Sequence, residues 1–291
     1  MKVAVYSIYY PEKSLQAFNE LIVILKKKGV DVYIESEFYA KLSSKSKSLL
    51  TVNTFSELNK SFDLLISVGG DGTILRAITF VRDFSIPIVG INTGRLGFLA
   101  TIQTDEIDTA IEHILAGNYN TSERTLLSVE THPKSDALNG TNFALNEITV
   151  SRKNTTSMIT VETHLNDDYL TSYWADGLIT STPTGSTGYS LSCGGPVITP
   201  DTNSLVLTPI APHNLNARPL VIPDDTTVRL QVDGREHQHL LSLDSRIITL
   251  SNATVITIKK ANFKITMVEL LNESFIDTLR QKMLWGEDKR N

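Results

Sequence analysis

The stretch FDLLISVGGDGTILRAITFVR, from Phe62 to Arg82, decides the fold. Phe62 to Val68, FDLLISV, reads as a strand buried on both faces. From Ile74 to Arg82 the apolar residues fall at helical spacing. Between the two sit Gly69, Gly70, Asp71, Gly72 and Thr73, a junction with little tolerance for side chains. Glycine lets the backbone reach positive φ and lets a ligand come close. Consecutive N–H groups at a strand-to-helix turn form a nest for anions, and the helix N-terminus adds positive potential. Gly69, Gly70, Gly72 and Thr73 therefore read as a phosphate cradle. Asp71 is the odd member. A carboxylate repels phosphate unless a metal or a proton donor lies between them, so it points to Mg²⁺, a hydroxyl nucleophile, or both. A plain tight turn would carry the same Asp-Gly signal. The Walker Lys-Ser/Thr pair and the GxGxxG spacing are both missing.

Outward from this junction the alternation continues. Lys2 to Ile8, Val30 to Ile34 and Ile86 to Ile91 are short apolar runs rich in β-branched residues. Leu15, Phe18, Ile22 and Leu25 fall at i, i+3, i+7 and i+10, one face of a helix that Pro11 can open and Gly29 can stop. Thr104 to Gly117 reads as another helix, with Thr104 as its cap, acids in its first turn and Gly117 at its end. Residues 41–50, with KSKS, read as a solvated segment. Such alternation predicts an α/β domain with an open, largely parallel sheet over residues 1–118.

Helical periodicity then disappears. Thr- and Val-rich segments recur between turn residues: RTLLSVETH, FALNEITVSR, SMITVETHL, NSLVLTPI, TTVRLQV, RIITLS and TVITIKK. They predict a mostly β domain over residues 119–271. Glu273 to Trp285 is helical again, with Phe275, Ile276, Leu279, Met283 and Leu284 on one side. This terminal segment, residues 272–291, is expected to return and dock on the helix-covered sheet of the first domain.

With 291 residues, 41% of them apolar and 20% charged, the chain can bury a full core without staples. A net charge of −5 argues against a general nucleic-acid binder and leaves room for a local basic pocket. The single cysteine, Cys193, excludes an internal disulfide framework and a Cys-based zinc site, and fits the reducing cytoplasm. No segment approaches about 18 continuous apolar residues, so neither a signal peptide nor a membrane span is expected.

GGDGT after a buried strand resembles the superfamily of ATP-dependent kinases that includes NAD kinases, diacylglycerol and sphingosine kinases, and 6-phosphofructokinases. In that superfamily the motif binds the nucleotide's phosphates, and its aspartate serves the acceptor hydroxyl or the metal. NTGRLGFLA (Asn92 to Ala100), ALNEITV (Ala144 to Val150), ADGLITSTPTGSTGYSLSCGGPVITP (Ala175 to Pro200), APHNLNARPLVIP (Ala211 to Pro223) and VDG (Val232 to Gly234) narrow the choice. Together they resemble the NAD kinase family in order and spacing, over nearly the whole chain. The resemblance implies transfer of the γ-phosphoryl of ATP to the 2′-hydroxyl of the adenosine ribose of NAD, giving NADP, with Mg²⁺ arriving on the ATP phosphates. It implies that Asp71 holds the acceptor hydroxyl and accepts its proton. A carboxylate is too weak a base to deprotonate a sugar hydroxyl early, and a loose phosphoryl-transfer transition state does not require it. Gly69, Gly70, Gly72 and Thr73 would meet phosphate. Arg95, in a glycine loop after a strand, either meets phosphate too or is simply solvated.

The same resemblance places Asn146, Glu147, Asp176, Thr187, Gly188, Tyr189, Ser192 and Asp233 against NAD, with Phe98 near its adenine. It implies a homo-oligomer, commonly a tetramer assembled from dimers with the NAD site shared between subunits, a dimer being the other possibility. No nucleic acid or membrane partner is expected. One departure is visible: the family commonly has alanine in TGSTAY, where this chain has Gly188. A backbone contact with adenine would survive the exchange.

The residues can also be read on their own chemistry. Asn146 and Glu147 are adjacent, so on an ideal strand they face opposite ways. Both reach one ligand only if the backbone bends there; a solvated strand end would carry the same pair. Asparagine offers a paired donor and acceptor that matches an adenine edge, and glutamate can accept from ribose hydroxyls or an exocyclic amine. Asp176 precedes the apolar strand GLIT, and a carboxylate buried there needs donors. The nicotinamide carboxamide, or a ribose hydroxyl from a neighbouring subunit, could supply them. The hydroxyls and glycines from Thr182 to Ser192 suggest packing against a polar ligand rather than an irregular surface loop. His237 and His239 are two apart and would share a strand face. A metal site would need a third ligand, so none is expected. Cys193, without a paired histidine, reads as packing. Two other functions compete. A lipid kinase of the same superfamily would need an apolar acceptor pocket and a basic or amphipathic surface, against which the hydroxyl-rich stretch and the acidic charge both argue. A dinucleotide sensor would bind NAD without consuming ATP, and the intact Asp71 argues against that.

Overall fold

The structure, a computed structural model, describes residues 1–8, 12–43, 47, 52–154, 157–271 and 273–284. The chain divides into two compact units, the first made of Met1–Glu123 with Ile265–Asn291 and the second of Arg124–Lys264.

In unit 1 the order is β1 (Lys2–Ser7), α1 (Glu12–Lys27), β2 (Asp31–Glu35), α2 (Ser36–Lys41), β3 (Asn53–Phe55), β4 (Leu64–Gly69), α3 (Asp71–Val81), β5 (Ile88–Asn92), β6 (Ile102–Gln103) and α4 (Ile107–Leu115). The strands pair in parallel in the order β3-β2-β1-β4-β5, with β6 beside β5. The chain winds outward from β1 to β3, then returns to lay β4 against the other side of β1. That reversal is a topological switch point, where open α/β sheets leave a crevice beyond the carboxyl ends of their strands. The glycine junction sits at the carboxyl end of β4.

Phe18, Leu21, Ile22 and Leu25 of α1, and Ile107, Ala110, Ile111 and Ile114 of α4, are buried in one cluster with Val3, Val5, Ile66 and Val68. α3 buries Ile74, Ala77, Ile78 and Val81, and its Phe80 ring lies 5.2 Å from that of Tyr6. Tyr6 alternates with Val5 along β1, so helices cover both faces of the sheet. Gly29 follows α1 at φ +72°, as a helix stop should. α2 was not expected from the sequence. Its N-terminus forms because the Glu35 carboxylate accepts the N–H groups of Glu37 and Phe38, both at 2.8 Å. The cap before α4 also differs from expectation. A single 3₁₀ turn, Thr104–Glu106, comes first, and Glu106 rather than Thr104 closes it by accepting the Gln103 N–H at 3.2 Å. Pro11 and Trp285 lie outside the described residues, as do 44–46 and 48–50 of the KSKS segment.

β7 (Tyr119–His132) leads into unit 2. There follow β8 (Phe143–Ala144), β9 (Glu147–Arg152), β10 (Ile159–Leu165), β11 (Asp168–Ala175), β12 (Gly177–Ser181), the short α5 (Tyr189–Ser192), β13 (Ser204–Ile210), β14 (Leu220–Pro223), β15 (Val228–Gly234), β16 (Gln238–Leu243) and β17 (Arg246–Ser251). Six of these strands pair antiparallel in the order β14-β13-β12-β9-β16-β17, and β11-β10-β15 do so in a second sheet. Ile148, Val150, Leu178, Leu205, Leu207 and Leu241 from the first sheet share one core with Val161, Tyr173, Leu230 and Val232 from the second.

β18 (Val255–Leu270) pairs antiparallel with β15 near its start, and in parallel with β5 at Met267↔Ile88 near its end. α6 (Phe275–Met283) then packs in unit 1. Its Phe275 ring stands 6.1 Å from Phe98, and Thr101 Oγ1 donates to Glu273 Oε2 at 2.6 Å. The terminal helix therefore docks on the 98–101 loop. Leu279 is buried while Ile276 and Leu284 are exposed, so its apolar face is narrower than the spacing suggested.

Gly69 ends β4 at φ +156°, and a Cβ there would lie 2.2 Å from Thr73 Oγ1. Gly69→Ala is expected to lower stability by about 1–3 kcal/mol, read as a fall in the denaturant midpoint. An unchanged midpoint would mean that the turn relaxes without strain.

Candidate active site

In unit 1 the junction is built from bare backbone. Gly70 precedes α3 in an extended conformation, and Asp71 opens the helix. Nothing lies within 4 Å of where a Cβ would stand on Gly70 or Gly72, so a ligand can reach the main chain at both. Thr73 is buried and donates its N–H to the Gly70 carbonyl at 2.9 Å. Ser7 Oγ, at the end of β1, donates to the Val68 carbonyl at 2.7 Å and ties the two strands across the switch point.

Asp71 is not idle in this arrangement. Its Oδ2 accepts the N–H of Phe98 at 2.8 Å, and its Oδ1 accepts those of Leu99 at 3.1 Å and Ala100 at 3.0 Å. A carboxylate has about four acceptor positions, so one remains, on Oδ2. The loop that supplies these donors is shaped by Asn92. The Asn92 Nδ2 donates to the carbonyls of Arg95 (2.7 Å) and Ala100 (3.1 Å), and its Oδ1 accepts the Gly94 N–H at 2.7 Å. A Cβ on Gly97 would lie 1.9 Å from Asp71 Oδ1, so the loop must carry glycine there. Arg95 is exposed. The Phe98 ring faces Phe275 of α6, and the ammonium of Lys282 stands 4.5 Å from its centre.

In unit 2 the bend that Asn146 and Glu147 require is present. The N–H groups of Leu145, Asn146 and Glu147 all point at the carboxylate of Asp244, at 3.0, 2.8 and 3.2 Å. Successive N–H groups of a strand point opposite ways, so the pleat is interrupted where β9 begins. Both side chains then converge. A Cβ on Gly188 would stand 3.0 Å from Glu147 Oε2 and 3.2 Å from Asn146 Nδ2. The alanine common in the family would press on both. Gly185 lies against the Asn146 backbone, where a Cβ would meet the carbonyl oxygen at 2.1 Å. Asn146 Oδ1 is buried with no partner among the described residues. Glu147 is buried and accepts the Tyr189 N–H at 3.4 Å. Burial, reinforced by the Asp244 charge and opposed by the Tyr189 N–H, pushes its carboxyl up to about 8.

The hydroxyl-rich stretch is used differently from expectation. Thr182 Oγ1 donates to the Leu145 carbonyl at 2.6 Å and accepts the Gly185 N–H at 3.1 Å. Ser186 Oγ bonds both the carbonyl and the N–H of Ile198, and Ser190 Oγ lies 2.8 Å from Thr208 Oγ1. These hydroxyls fold the segment. Thr187, Gly188, Tyr189 and Ser192 form its accessible side, with Tyr189 and Ser192 exposed. The Tyr189 phenol is raised by burial first, then by Cys193, Asp176 and Glu147.

Asp176 is partly exposed rather than buried, and its donor is Arg152 Nη2 at 2.9 Å. Gly177 pairs with Ser151 and Ser181 with Glu147, so Asp176 lies just beyond the far end of the β9–β12 pairing from Glu147, roughly 16 Å of strand away. Asp233 is exposed on the other sheet, its carboxylate accepting the Gly234 N–H at 2.9 Å. His237 is exposed before β16 while His239 is fully buried with Nδ1 3.0 Å from Asn252 Oδ1, so the two do not share a face. Burial raises the Cys193 thiol. Asn92, Gly97 and Asp244 escaped the sequence reading. The first two stand in a stretch quoted for resemblance alone, and Asp244-Ser245 reads as an ordinary hairpin turn.

The α/β unit thus carries a glycine nest with its aspartate at the switch point, and the β unit a convergent Asn-Glu pair. Residues 10–119 match the ATP-NAD kinase N-terminal domain and residues 145–270 the ATP-NAD kinase C-terminal domain. The NAD kinase of Flavobacterium johnsoniae is 56% identical over 294 residues, covering 100% of both chains. That of Cytophaga hutchinsonii is 43% identical over 286 residues, 97% of each. An NAD kinase from Archaeoglobus fulgidus, solved in complex with ATP, superposes with a TM-score of 0.75 at 26% identity, over 98% of this chain and 99% of that one. A yeast NADH kinase complexed with NADH shares the fold with a TM-score of 0.84 at 23% identity, over 99% of this chain and 89% of that one. The chain belongs to the NAD kinase family.

The raised Glu147 carboxyl has a measurable consequence. Its folded value, about 8, lies above its unfolded value, so folding favours the protonated form. The stability this contributes is present at low pH and is lost as pH rises from the unfolded value through about 8. Glu147→Gln, which cannot ionise, is expected to gain melting temperature relative to the parent as pH rises from about 5 to about 8.5. A difference that stays flat across that range would contradict the assignment.

Proposed function

We propose that this chain is an ATP-dependent NAD kinase that transfers the γ-phosphoryl of ATP to the 2′-hydroxyl of the adenosine ribose of NAD, giving NADP and ADP. The observation that carries the reading is the end-to-end likeness to NAD kinases, at 56% identity, in a chain that keeps Asp71 with one acceptor position open.

In this reading the main chain at Gly69, Gly70, Gly72 and Thr73 receives the nucleotide's phosphates, with Arg95 reaching them from its exposed loop. Mg²⁺ enters as part of the MgATP substrate, as is usual for a metal that dehydrates reluctantly. The open lone pair of Asp71 takes the hydrogen of the acceptor hydroxyl and aims its oxygen, and the proton leaves late. Positioning and electrostatics supply most of the acceleration. Asn146 matches the adenine edge with its paired donor and acceptor, and Glu147 accepts from ribose hydroxyls. Thr187, Gly188, Tyr189, Ser192 and Asp233 complete the dinucleotide contacts, and Phe98 serves the adenine. Because Glu147 is held largely protonated near neutrality, a ligand that donates to it releases a proton on binding.

We place the enzyme in the cytoplasm as a homotetramer of dimers that share NAD sites. β11 is an edge strand that exposes Trp174 and Tyr169, and Asp176 follows it directly. From there Asp176, with Arg152, serves the nicotinamide end of a dinucleotide held by a neighbouring subunit. Among the described residues no helix is long and apolar enough to cross a membrane.

The test is NADP formation from NAD and MgATP, coupled to an NADP-specific dehydrogenase. Asp71→Asn is expected to lower kcat by roughly 10²–10³-fold, the size of losing one well-placed transition-state contact. It should also lower the melting temperature, because an amide cannot accept all three loop N–H groups. NAD binding without NADP formation by the folded parent protein would make it a sensor instead.

A further inference from the structure

Asp244 and Ser245 form the two-residue turn between β16 and β17, and Arg246 opens β17 directly after it. The Asp244 carboxylate takes the N–H groups of Leu145, Asn146 and Glu147, and its own N–H donates to the Glu147 carbonyl at 2.9 Å. The Arg246 guanidinium donates to the carbonyls of Thr141 and Phe143 and lies 5.5 Å from the centre of the Phe143 ring. One turn thus grips residues 141–147 twice, with its cation on carbonyls and its anion on N–H groups. Asp244 sits at φ +52°, a conformation that aspartate tolerates better than most residues. As a residue it is only partly buried, yet its carboxyl is enclosed: burial pushes it up, opposed by the N–H groups of Leu145, Asn146 and Glu147 and by the Arg246 guanidinium.

The convergence of Asn146 and Glu147 on Gly188 depends on that grip. Without an acceptor for three successive N–H groups, the backbone would relax to an alternating pleat and turn one of the two side chains away. We infer that Asp244 is a positioning residue of the dinucleotide site, holding Asn146 and Glu147 on one side through the backbone they share. The identity of the ligand rests on the NAD kinase reading; the grip does not. The charge of Asp244 also bears on Glu147. The groups facing Glu147 are Asp244 from the turn, the Tyr189 N–H and phenol and the Cys193 thiol from the 188–193 segment, and the Asn146 amide; Arg246 faces Asp244.

Asp244→Asn removes the charge and turns one acceptor into a donor that opposes an N–H. In the full chain it is expected to raise the KM for NAD about tenfold, the loss of one charge-assisted hydrogen bond, while the KM for ATP stays within about twofold. The Glu147 carboxyl, followed by carbon NMR, should titrate at lower pH than in the parent. A merely structural role would reduce the folded fraction without moving either readout. An unchanged KM for NAD in the folded variant, or an unmoved Glu147 titration, overturns the inference. If Asp244→Asn does not fold, hydrogen exchange in the parent decides: the amides of 145–147 should be as protected as those inside β9, and exchange at exposed-loop rates overturns the grip. A parent protein that makes no NADP sinks the kinase reading alone, since titration and exchange still judge Asp244.

Discussion

Successive backbone N–H groups that point the same way need a single acceptor, and in each unit that acceptor is one aspartate. Asp71 gathers the N–H groups of residues 98–100, and Asp244 those of 145–147. A buried N–H left without a partner costs about 1–3 kcal/mol, and bonds to a charged acceptor are the stronger kind. The two carboxylates therefore fix non-repetitive backbone more firmly than a turn sequence could. The glycines nearby follow from this. At Gly97 and Gly185 a Cβ would stand 1.9 Å from Asp71 Oδ1 and 2.1 Å from the Asn146 carbonyl. The small residues are there because the gripped loops lie close to what surrounds them.

Three of the acceptor positions of Asp71 organise the loop after β5, and the fourth is left open. The same economy marks the segment after β12. Its inward hydroxyls, Thr182, Ser186 and Ser190, hold the main chain, while Thr187, Tyr189 and Ser192 stay accessible. Polar residues there act first as internal structure, and only the remainder stays open to solvent.

The fold was legible wherever periodicity carried it. Strand–helix alternation and the glycine stop at Gly29 follow from local rules, as do the Thr- and Val-rich segments that became strands β7, β9, β10, β13, β15, β17 and β18. The α2 helix was not, because its cap is a glutamate at the end of a strand, and β3 is too short to show a period. Asp71 and the Asn146–Glu147 pair stood out by residue type, and the need for a bend at 146–147 followed from the period of two. The cause of that bend did not. Asp244 lies 97 residues from Glu147, and nothing local distinguishes it from a common turn aspartate. Asp176 was misjudged for a related reason: an apolar strand beside it suggested burial, but its partner, Arg152, comes from the end of the neighbouring strand, where the sheet opens to solvent.

Unit 1 is not continuous in sequence, because the end of β18 and all of α6 belong to it. A ribosome therefore releases five core strands of the α/β sheet long before the strand that flanks β5 and the helix that covers the 98–101 loop. For that interval the emerging chain carries an unfinished sheet edge and an uncovered Phe98, the features that invite misassembly. Completion waits until the whole intervening β unit has been made. The 98–101 loop thus gains its cover only after the β unit has been made, so a complete α/β unit depends on the segment from Ile265 onward as much as on the glycine junction.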